Sequence, residues 1–361
     1  MPPSAVGKSG TADNSSFAFT DRETCILHVP AGSGKLYKAA ECWNEFKNIV
    51  EDLPGTYDPA DYSVIENLEP GTLPDRIPEA VRDQIENLTI TGKLNGTDIK
   101  LLRDMACKKL KKLNIASCSI VEGGSAYLKY ADYTPSITKK SADIHVGISA
   151  ATVYPIDAGY QTSDNVIGTY MFAGLTTITE IILPVNITTI LDGAFMDCQN
   201  LARIVIHGGL KEISSGMIFA GSNRLENLTT NSSIFTQNNG ILFKNAKTIA
   251  AVLPFYASNS FTIPEGVDSI APYAFAGCNM SYLTIPSTMV SISDYAFCQS
   301  HLQKLNLPAT VKHIGKGSFM YCEDLKEVEL EQKERMHELS KQIREQCAHV
   351  QDLCSNFTKK Q

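Results

Sequence analysis

The sequence lacks the features that mark membrane-spanning and nucleic-acid-binding proteins. No apolar run approaches the ~20 residues that a membrane helix needs. Acidic residues outnumber basic ones, since the 361 residues include 39 Asp and Glu but 32 Lys and Arg, which gives a net charge of −7. A surface that contacts phosphates needs excess positive charge, so we expect no membrane span and no nucleic-acid partner.

Catalytic and metal-binding motifs are also missing. The ten cysteines contain no C-x-x-C pair, and no H-E-x-x-H, G-x-S-x-G or D-x-D-x-D-G sequence occurs. Residues 29–36 resemble a phosphate-binding loop, but Val29 and Leu36 stand where the motif needs Gly and Ser or Thr. The sequence therefore predicts no catalytic residue, no metal, no cofactor and no enzyme activity. Scattered cysteines of this kind are expected as buried, free, small apolar side chains.

An internal repeat marked by phenylalanine is present instead. The marker positions lie 22 to 24 residues apart, except for one interval of 56 residues. They are Phe172, Phe195, Phe219, Phe275, Phe297 and Phe319. Self-similarity at this period is typical of solenoids, in which each unit is one coil of chain.

Four of the units read apolar-x-apolar-Pro, then two apolar positions, then the Phe, whereas the unit before Phe219 has His207 in place of the Pro. In residues 181–184, Ile-Ile-Leu-Pro is followed by Ile187 and Ile190. Apolar-x-apolar predicts a strand with one face inward, and Pro ends it because Pro cannot donate to a sheet. One coil cannot bury its own face, so stacked coils must share a core. Three cysteines, each three residues after a Phe, should fill that stack: Cys198, Cys278 and Cys322.

The long interval contains a different pattern. Residues 239–243 and 248–254 are rich in apolar side chains and flank a polar turn at 244–247. This predicts a β-hairpin inserted between coils. We interpret it as a spacer, with a projecting binding loop as the alternative.

Repeats of the form I-P-x-x-V-x-x-I-x-x-x-A-F-x-x-C resemble the BspA-like leucine-rich repeats of bacterial cell-surface proteins. The likeness continues upstream, where residues 88–106 predict a strand, a turn at Asn95 and Gly96, and a helix capped by Thr97 or Asp98. Residues 113–115 predict another strand. The resemblance implies an α/β repeat solenoid, a leucine-rich-repeat array with a parallel sheet and a hairpin insertion.

Five regions follow from these patterns. We expect an orphan cap-like unit at 1–50, a linker at 51–84, an N-terminal capping region at 85–169, the solenoid at 170–330, and an amphipathic helix or short coiled coil at 331–361. The first region resembles the end of a preceding array, so we expect a truncated or rearranged chain. In the last region, apolar residues recur every seven positions, from Met336 to Phe357. That helix either folds back over the last repeat or pairs with a second copy, which would make a homo-oligomer.

The outward positions of the repeated strands form a candidate binding strip. The residues predicted to contact a ligand are Ile182, Arg203, Val205, Tyr282, Thr284, Lys304 and Asn306. The strip mixes apolar, aromatic and charged groups, as interfaces do. The alternative interpretation is an ordinary solvated strand surface.

The function that the resemblance implies is non-catalytic recognition, with protein or glycan binding and adhesion at the cell surface. The alternative is a structural or assembly protein that oligomerises through residues 331–361. Because the first residues contain no signal-peptide apolar core, a cytoplasmic location or a fragment is the alternative to surface exposure.

Overall fold

The computed structural model describes residues 21–30, 32–40, 43–53, 58–130, 132, 158–254 and 258–330. The chain divides into two units, the first comprising Met1–Tyr62 with Ile77–Ile85, and the second Ser63–Arg76 with Glu86–Gln361. The helix predicted at 331–361 lies outside the described residues.

The first unit contains strand β1 (Ile26–Pro30), helix α1 (Gly34–Ala39) and strand β2 (Asn48–Leu53), and β1 pairs with β2 in parallel. Trp43 stacks on buried Phe46, with ring centroids 6.3 Å apart. The Glu51 carboxylate accepts hydrogen bonds from the backbone N–H groups of Gly32 and Gly34. The N–H groups at the start of α1 therefore already have an anionic partner within the chain.

The segment expected as a linker, residues 51–84, contains regular structure. It includes the end of β2, a 3-10 turn at Pro59–Tyr62, strand β3 (Val64–Leu68) and helices α2 (Leu73–Arg76) and α3 (Glu79–Arg82). β3 pairs in parallel with strand β4 (Asn87–Leu94), so it forms the edge of a sheet in the second unit. The division of the chain into the five predicted regions stays a prediction.

Helix α4 (Gly96–Met105) follows β4, and its cap corrects the prediction. The N-cap is Asn95, whose side chain accepts a hydrogen bond from the Thr97 N–H. The prediction that Thr97 or Asp98 caps the helix is therefore wrong. Asp98 is fully buried, and its carboxylate accepts from the backbone N–H groups of Asn95 (2.9 Å), Gly71 (2.6 Å) and Leu73 (2.9 Å). The Asp98 carboxylate thus completes the capping box of α4 and also holds the backbone at Gly71 and Leu73 by hydrogen bonds.

The second unit is a stack of coils that carries two strand ladders. The first ladder is a six-stranded parallel sheet. Its members, besides β3 and β4, are β5 (Lys112–Ile120), β9 (Glu180–Ile182), β11 (Arg203–Ile206) and β13 (Asn227–Thr230). The strands lie in the order β13-β11-β9-β5-β4-β3. Ile204 and Ile206 of β11 are buried while Arg203 is exposed, as the alternating pattern predicted.

The second ladder runs along the same coils through short strands. It comprises β8 (Val166–Ile167), β10 (Thr189–Ile190) and β12 (Glu212–Ile213), paired in parallel. Two more short strands, β6 (Leu128–Lys129) and β7 (Gly159–Tyr160), pair antiparallel beside the first coils.

After the insertion the same arrangement resumes in two further sheets. The four-stranded sheet comprises β17 (Ser260–Thr262), β19 (Tyr282–Thr284), β21 (Lys304–Leu307) and β23 (Glu327–Leu330). The other contains β18 (Ser269–Ile270), β20 (Ser291–Ile292) and β22 (His313–Ile314). Parallel in-register pairing of repeated strands confirms the predicted solenoid.

The marker phenylalanines form two stacks in the core. Phe195 lies between Phe172 and Phe219, with ring centroids 5.7 and 5.8 Å away. Phe297 lies between Phe275 and Phe319 at 5.1 and 5.4 Å. All six rings are buried. Offset stacking of this kind adds to the stabilisation that comes from removing the rings from water.

Backbone and side-chain hydrogen bonds connect the same positions from coil to coil. The N–H of Phe172 donates to the Ala194 carbonyl at 2.8 Å, and that of Phe195 donates to Ile218 at 2.8 Å. Three residues after Phe195, the Cys198 thiol donates to the Phe172 carbonyl at 2.8 Å. The cysteines predicted to fill the stack are buried, which confirms that expectation.

The predicted hairpin is confirmed and has a third strand. β15 (Ile241–Lys244) and β16 (Thr248–Val252) pair antiparallel, and β14 (Phe235–Asn238) adds to β15. β16 also pairs in parallel with β18, and the Val252 N–H donates to the Ala274 carbonyl at 2.9 Å. Val252 therefore takes the Phe position of an irregular coil, 23 residues before Phe275.

We predict that Gly193→Ala destabilises the protein by about 2–4 kcal/mol, because two costs add at this position. Gly193 has φ of +60°, and a Cβ there would lie 2.3 Å from the Tyr170 ring. Chemical denaturation with a spectroscopic readout measures the change in the free energy of unfolding.

Gly277 is the matched control. Its φ is +69°, but a Cβ there meets nothing within 4 Å. Gly277→Ala should cost only the backbone strain, about 1 kcal/mol. Equal losses in the two variants would contradict the packing role of Tyr170.

Candidate recognition surface

The outward positions of the six-stranded sheet form a continuous surface, which we call the first strand face. Pairing places two rows of side chains across the sheet at matching positions. One row is Thr89, Asn114, Ile182, Val205 and Thr229; the other is Asn87, Lys112, Glu180, Arg203 and Asn227. Ile182 and Val205 are half-buried, so they expose apolar surface among polar neighbours.

The four-stranded sheet presents the second strand face. Thr262, Thr284, Asn306 and Glu329 form one row, and Ser260, Tyr282, Lys304 and Glu327 form the other. Tyr282 is 49% exposed. Its hydroxyl donates to the Gln303 side-chain oxygen at 3.4 Å, which leaves the ring open to solvent.

The residues predicted as one binding strip lie on these two separate faces. Ile182, Arg203 and Val205 belong to the first, whereas Tyr282, Thr284, Lys304 and Asn306 belong to the second. Within the described residues, no strand pairing joins β13 to β17. The break coincides with the hairpin, and among the described residues the short-strand ladder is divided at the same place, between β12 and the sheet that runs from β14 to β22. The role of these seven residues in binding stays a prediction.

Most charged residues on the two faces are paired with their neighbours in the sheet. The Arg203 guanidinium lies 2.5 Å from the Glu180 carboxylate. The Lys304 ammonium lies 3.0 Å from Glu329 and 3.4 Å from Glu327, and the hydrogen bond with Glu329 raises the pKa of Lys304. Exposed pairs contribute little stability, but they lower the net charge that each face presents.

A shallow depression of about 310 Å³ lies on the first strand face. Its outward rim consists of Asn87, Thr89, Lys112, Asn114, Glu180 and Ile182. Amide, hydroxyl, ammonium and carboxylate groups thus surround one apolar side chain. Such a rim can donate and accept hydrogen bonds while Ile182 supplies apolar contact.

Part of this depression, supplied by β4 and β5, lies outside the predicted binding strip. Its residues there, which fall in the predicted capping region at 85–169, are Asn87, Thr89, Lys112 and Asn114. The signal was present, because Leu88-Thr89-Ile90 and Leu113-Asn114-Ile115 have the same apolar-x-apolar form as the repeats. The pattern could therefore have extended the strip by two strands.

A second cavity, of about 400 Å³, lies among the turns that follow the Phe positions. Gly221, Pro254, Gly277, Gln299 and Tyr321 line it at equivalent positions of successive coils. His301 contributes a ring nitrogen that lies 2.6 Å from the Asp324 carboxylate. The cavity marks the place where the irregular coil interrupts the turn-to-turn stacking.

Among the described residues, no group of three or more His, Cys, Asp or Glu side chains could hold a metal ion. In the same part of the chain, no helix has both the length and the apolar composition that crossing a membrane requires.

A family model for the BspA type leucine rich repeat region, with six copies, matches residues 161–255 and 255–358. These matches cover more than half of the chain. The chain belongs to the BspA-type leucine-rich repeat family. A family defined by stacked repeats fits a non-catalytic module, and it agrees with the strand pairing of the coils. No curated protein matches this BspA-type chain.

Several solved structures are similar to it. A leucine-rich repeat protein from Eubacterium ventriosum is 18% identical, with a TM-score of 0.46, over 78% of this chain and 66% of that one. A leucine rich cell surface protein from Faecalibacterium prausnitzii is 14% identical, with a TM-score of 0.36, over 85% and 84%. A leucine rich repeat protein from T. pallidum is 20% identical, with a TM-score of 0.22, over 42% and 57%. The BspA-type chain thus spans about two thirds of the E. ventriosum protein.

We predict that the buried thiols of the repeats resist alkylation in the folded protein. Burial raises the pKa of Cys198 to about 12 and that of Cys322 to about 11. Since the thiolate is the nucleophile, only a very small fraction of either thiol is reactive at about pH 8. Iodoacetamide followed by peptide mass spectrometry should show Cys107, which is exposed, labelled before Cys198 and Cys322.

Unfolding in denaturant supplies the control, because it should make Cys198 and Cys322 as reactive as Cys107. Labelling of Cys198 in the native protein at the rate of Cys107 would contradict the burial described above.

Proposed function

We propose that this chain is a non-catalytic recognition module of the cell surface, and that its first strand face binds a protein or glycan ligand. The depression bounded by Asn87, Thr89, Lys112, Asn114, Glu180 and Ile182 carries this proposal. It lies on a face of six strands, where a partner can contact several coils at once.

The composition of the face supports recognition rather than catalysis. Ile182 and Val205 expose apolar surface at the centre, and amides and hydroxyls lie around them. In the row that contains Lys112, Glu180 and Arg203, each charged group stands next to a group of opposite sign, as Arg203 does beside Glu180. A ligand would therefore be selected by shape and hydrogen bonding more than by net charge.

The second strand face would supply a separate contact. Tyr282 is its exposed aromatic residue, and Thr284, Lys304 and Asn306 surround it. Tyrosine is among the residues that most often dominate binding energy at interfaces. We propose that Tyr282 anchors a second region of the same ligand or a further ligand of the same class. Membership in the family supports placing the module at the cell surface.

We predict that Thr89→Ala with Ile182→Ala weakens ligand binding about tenfold, because both side chains border the depression. A glycan and matrix-protein array with the full chain identifies the ligand, and titration of the wild type and the variant then measures both dissociation constants.

Val290→Ala with Thr310→Ala is the matched control, since both residues are exposed and lie on neither strand face. The control should bind like the wild type. Unchanged affinity in the Thr89 and Ile182 variant would remove the first strand face from the binding site. Tyr282→Ala in the same titration reports on the second strand face.

A further inference from the structure

Positive charge is concentrated in one short segment of this acidic chain. Residues 100–112 contain six basic side chains and one acidic side chain, for a net charge of +5, whereas the whole chain carries −7. Arg103 is used internally, because its guanidinium donates to the carbonyl oxygens of Tyr170 and Met171 at 3.0 and 2.9 Å. The remaining positive charge is carried by exposed lysines.

Three of these lysines lie where α4 ends and β5 begins. We call Lys108, Lys109 and Lys111 the lysine edge; all three are exposed. Lys111 lies 3.0 Å from the Glu86 carboxylate. Lys112 follows them but points onto the first strand face, so it belongs to the other surface. The lysine edge is therefore a separate surface made by the turn before β5.

Hydrogen bonds connect this turn to the equivalent turns of the next three coils. The Thr177 hydroxyl donates to the carbonyl oxygens of Ala106 and Leu110, both at 2.8 Å. The Asn200 side chain donates to the Thr176 carbonyl at 2.6 Å, and Arg224 donates to the Asn200 side-chain oxygen at 3.1 Å. Neighbouring strands lie about 4.8 Å apart, so the track from the lysine edge to Arg224 is about 14 Å long.

This track has basic groups at both ends and neutral polar groups between them. Thr176 and Arg224 are exposed, and Asn200 is half-buried. Ammonium and guanidinium groups pair with carboxylates and sulfates, while threonine and asparagine side chains hydrogen-bond to hydroxyls. A linear chain of sugars that carry acidic groups presents both kinds of partner.

We propose that the lysine edge, together with Thr176, Asn200 and Arg224, binds an acidic polysaccharide. This surface differs from the first strand face, so either can bind when the other does not. Among the exposed large apolar residues in the described part of the chain, the one aromatic is Tyr282, on another sheet. The track therefore offers no platform on which bases could stack.

The test measures binding of the full chain to heparin, a sulfated and carboxylated polysaccharide, at low and moderate salt. The wild type should bind at about 50 mM NaCl and lose most of its affinity by about 300 mM, because salt screens the contacts. Lys108→Gln with Lys109→Gln should bind heparin about tenfold more weakly. Dextran, which is neutral, should not bind.

Lys211→Gln with Lys326→Gln is the matched control, since it makes the same change in net charge at two exposed lysines elsewhere. It should bind heparin like the wild type. Circular dichroism melts should show that both variants fold like the wild type.

Three outcomes would overturn the proposal. They are no heparin binding at low salt, equal losses in the two double variants, and oligothymidine binding as tight as heparin binding. The last would indicate a general or nucleic-acid polyanion site. Loss of heparin binding with retention of the array ligand would separate this surface from the first strand face.

Discussion

The stacking of each coil on the next is the interaction on which the rest of this structure depends. A single coil has an apolar strand face, a Phe ring and several backbone donors that it cannot bury or satisfy alone. Phe195 illustrates this, because its ring contacts Phe172 on one side and Phe219 on the other, and its N–H donates to the following coil. The buried thiol of Cys198 adds a bond to the Phe172 carbonyl of the preceding coil. Stability therefore comes from neighbouring pairs of coils rather than from one central core.

The hairpin shows what happens where this stacking is interrupted. Val252 keeps the backbone bond to the next coil but replaces the aromatic ring with a smaller side chain. β14 and β15 supply the missing apolar area, since Phe235, Ile241 and Leu242 are buried. Strand pairing is interrupted at this place, because in the described part of the chain each of the two ladders divides into one sheet before the hairpin and one sheet that includes or follows it. The two strand faces are therefore separate because the hairpin is needed to fill the core beside Val252, and each face presents its own set of side chains.

Much of the fold could be predicted because its information is local and periodic. The apolar-x-apolar strands, the buried Ile and Phe positions and the inserted hairpin all follow from spacing along the chain. The cap of α4 could not be predicted in this way, since Asn95, Thr97 and Asp98 are all suitable caps by residue type. The choice depends on Asp98 accepting hydrogen bonds from Gly71 and Leu73, which are distant in sequence.

The segment at 51–84 shows the same dependence on residues that are distant in sequence. Its many Pro, Asp, Glu and Gly residues are typical of a linker, yet Ile65 and Leu68 are buried in an edge strand. That strand is stabilised by pairing with β4, which composition does not reveal. The division of the predicted binding strip between two faces could not be foreseen either, because the break between β13 and β17 depends on how the hairpin pairs.

Parallel pairing in register also constrains where charge can be placed. Equivalent side chains of successive coils lie about 4.8 Å apart, so like charges in one row would repel each other. The first strand face follows this constraint, since Glu180 stands between Lys112 and Arg203. The second face does so as well, with Lys304 beside Glu327. Strand faces built in this way are close to neutral and suit recognition by shape and hydrogen bonding.

Turns are free of this constraint, because consecutive side chains within one turn diverge into solvent. Lys108, Lys109 and Lys111 can therefore collect positive charge that the strand rows of the same coils cannot hold. Neutral Thr176 and Asn200 on the adjoining coils avoid repulsion with them and still offer hydrogen bonds. Because in-register stacking disfavours like charges in the strand rows but not within a turn, the strand faces are close to neutral and the positive charge lies at the lysine edge.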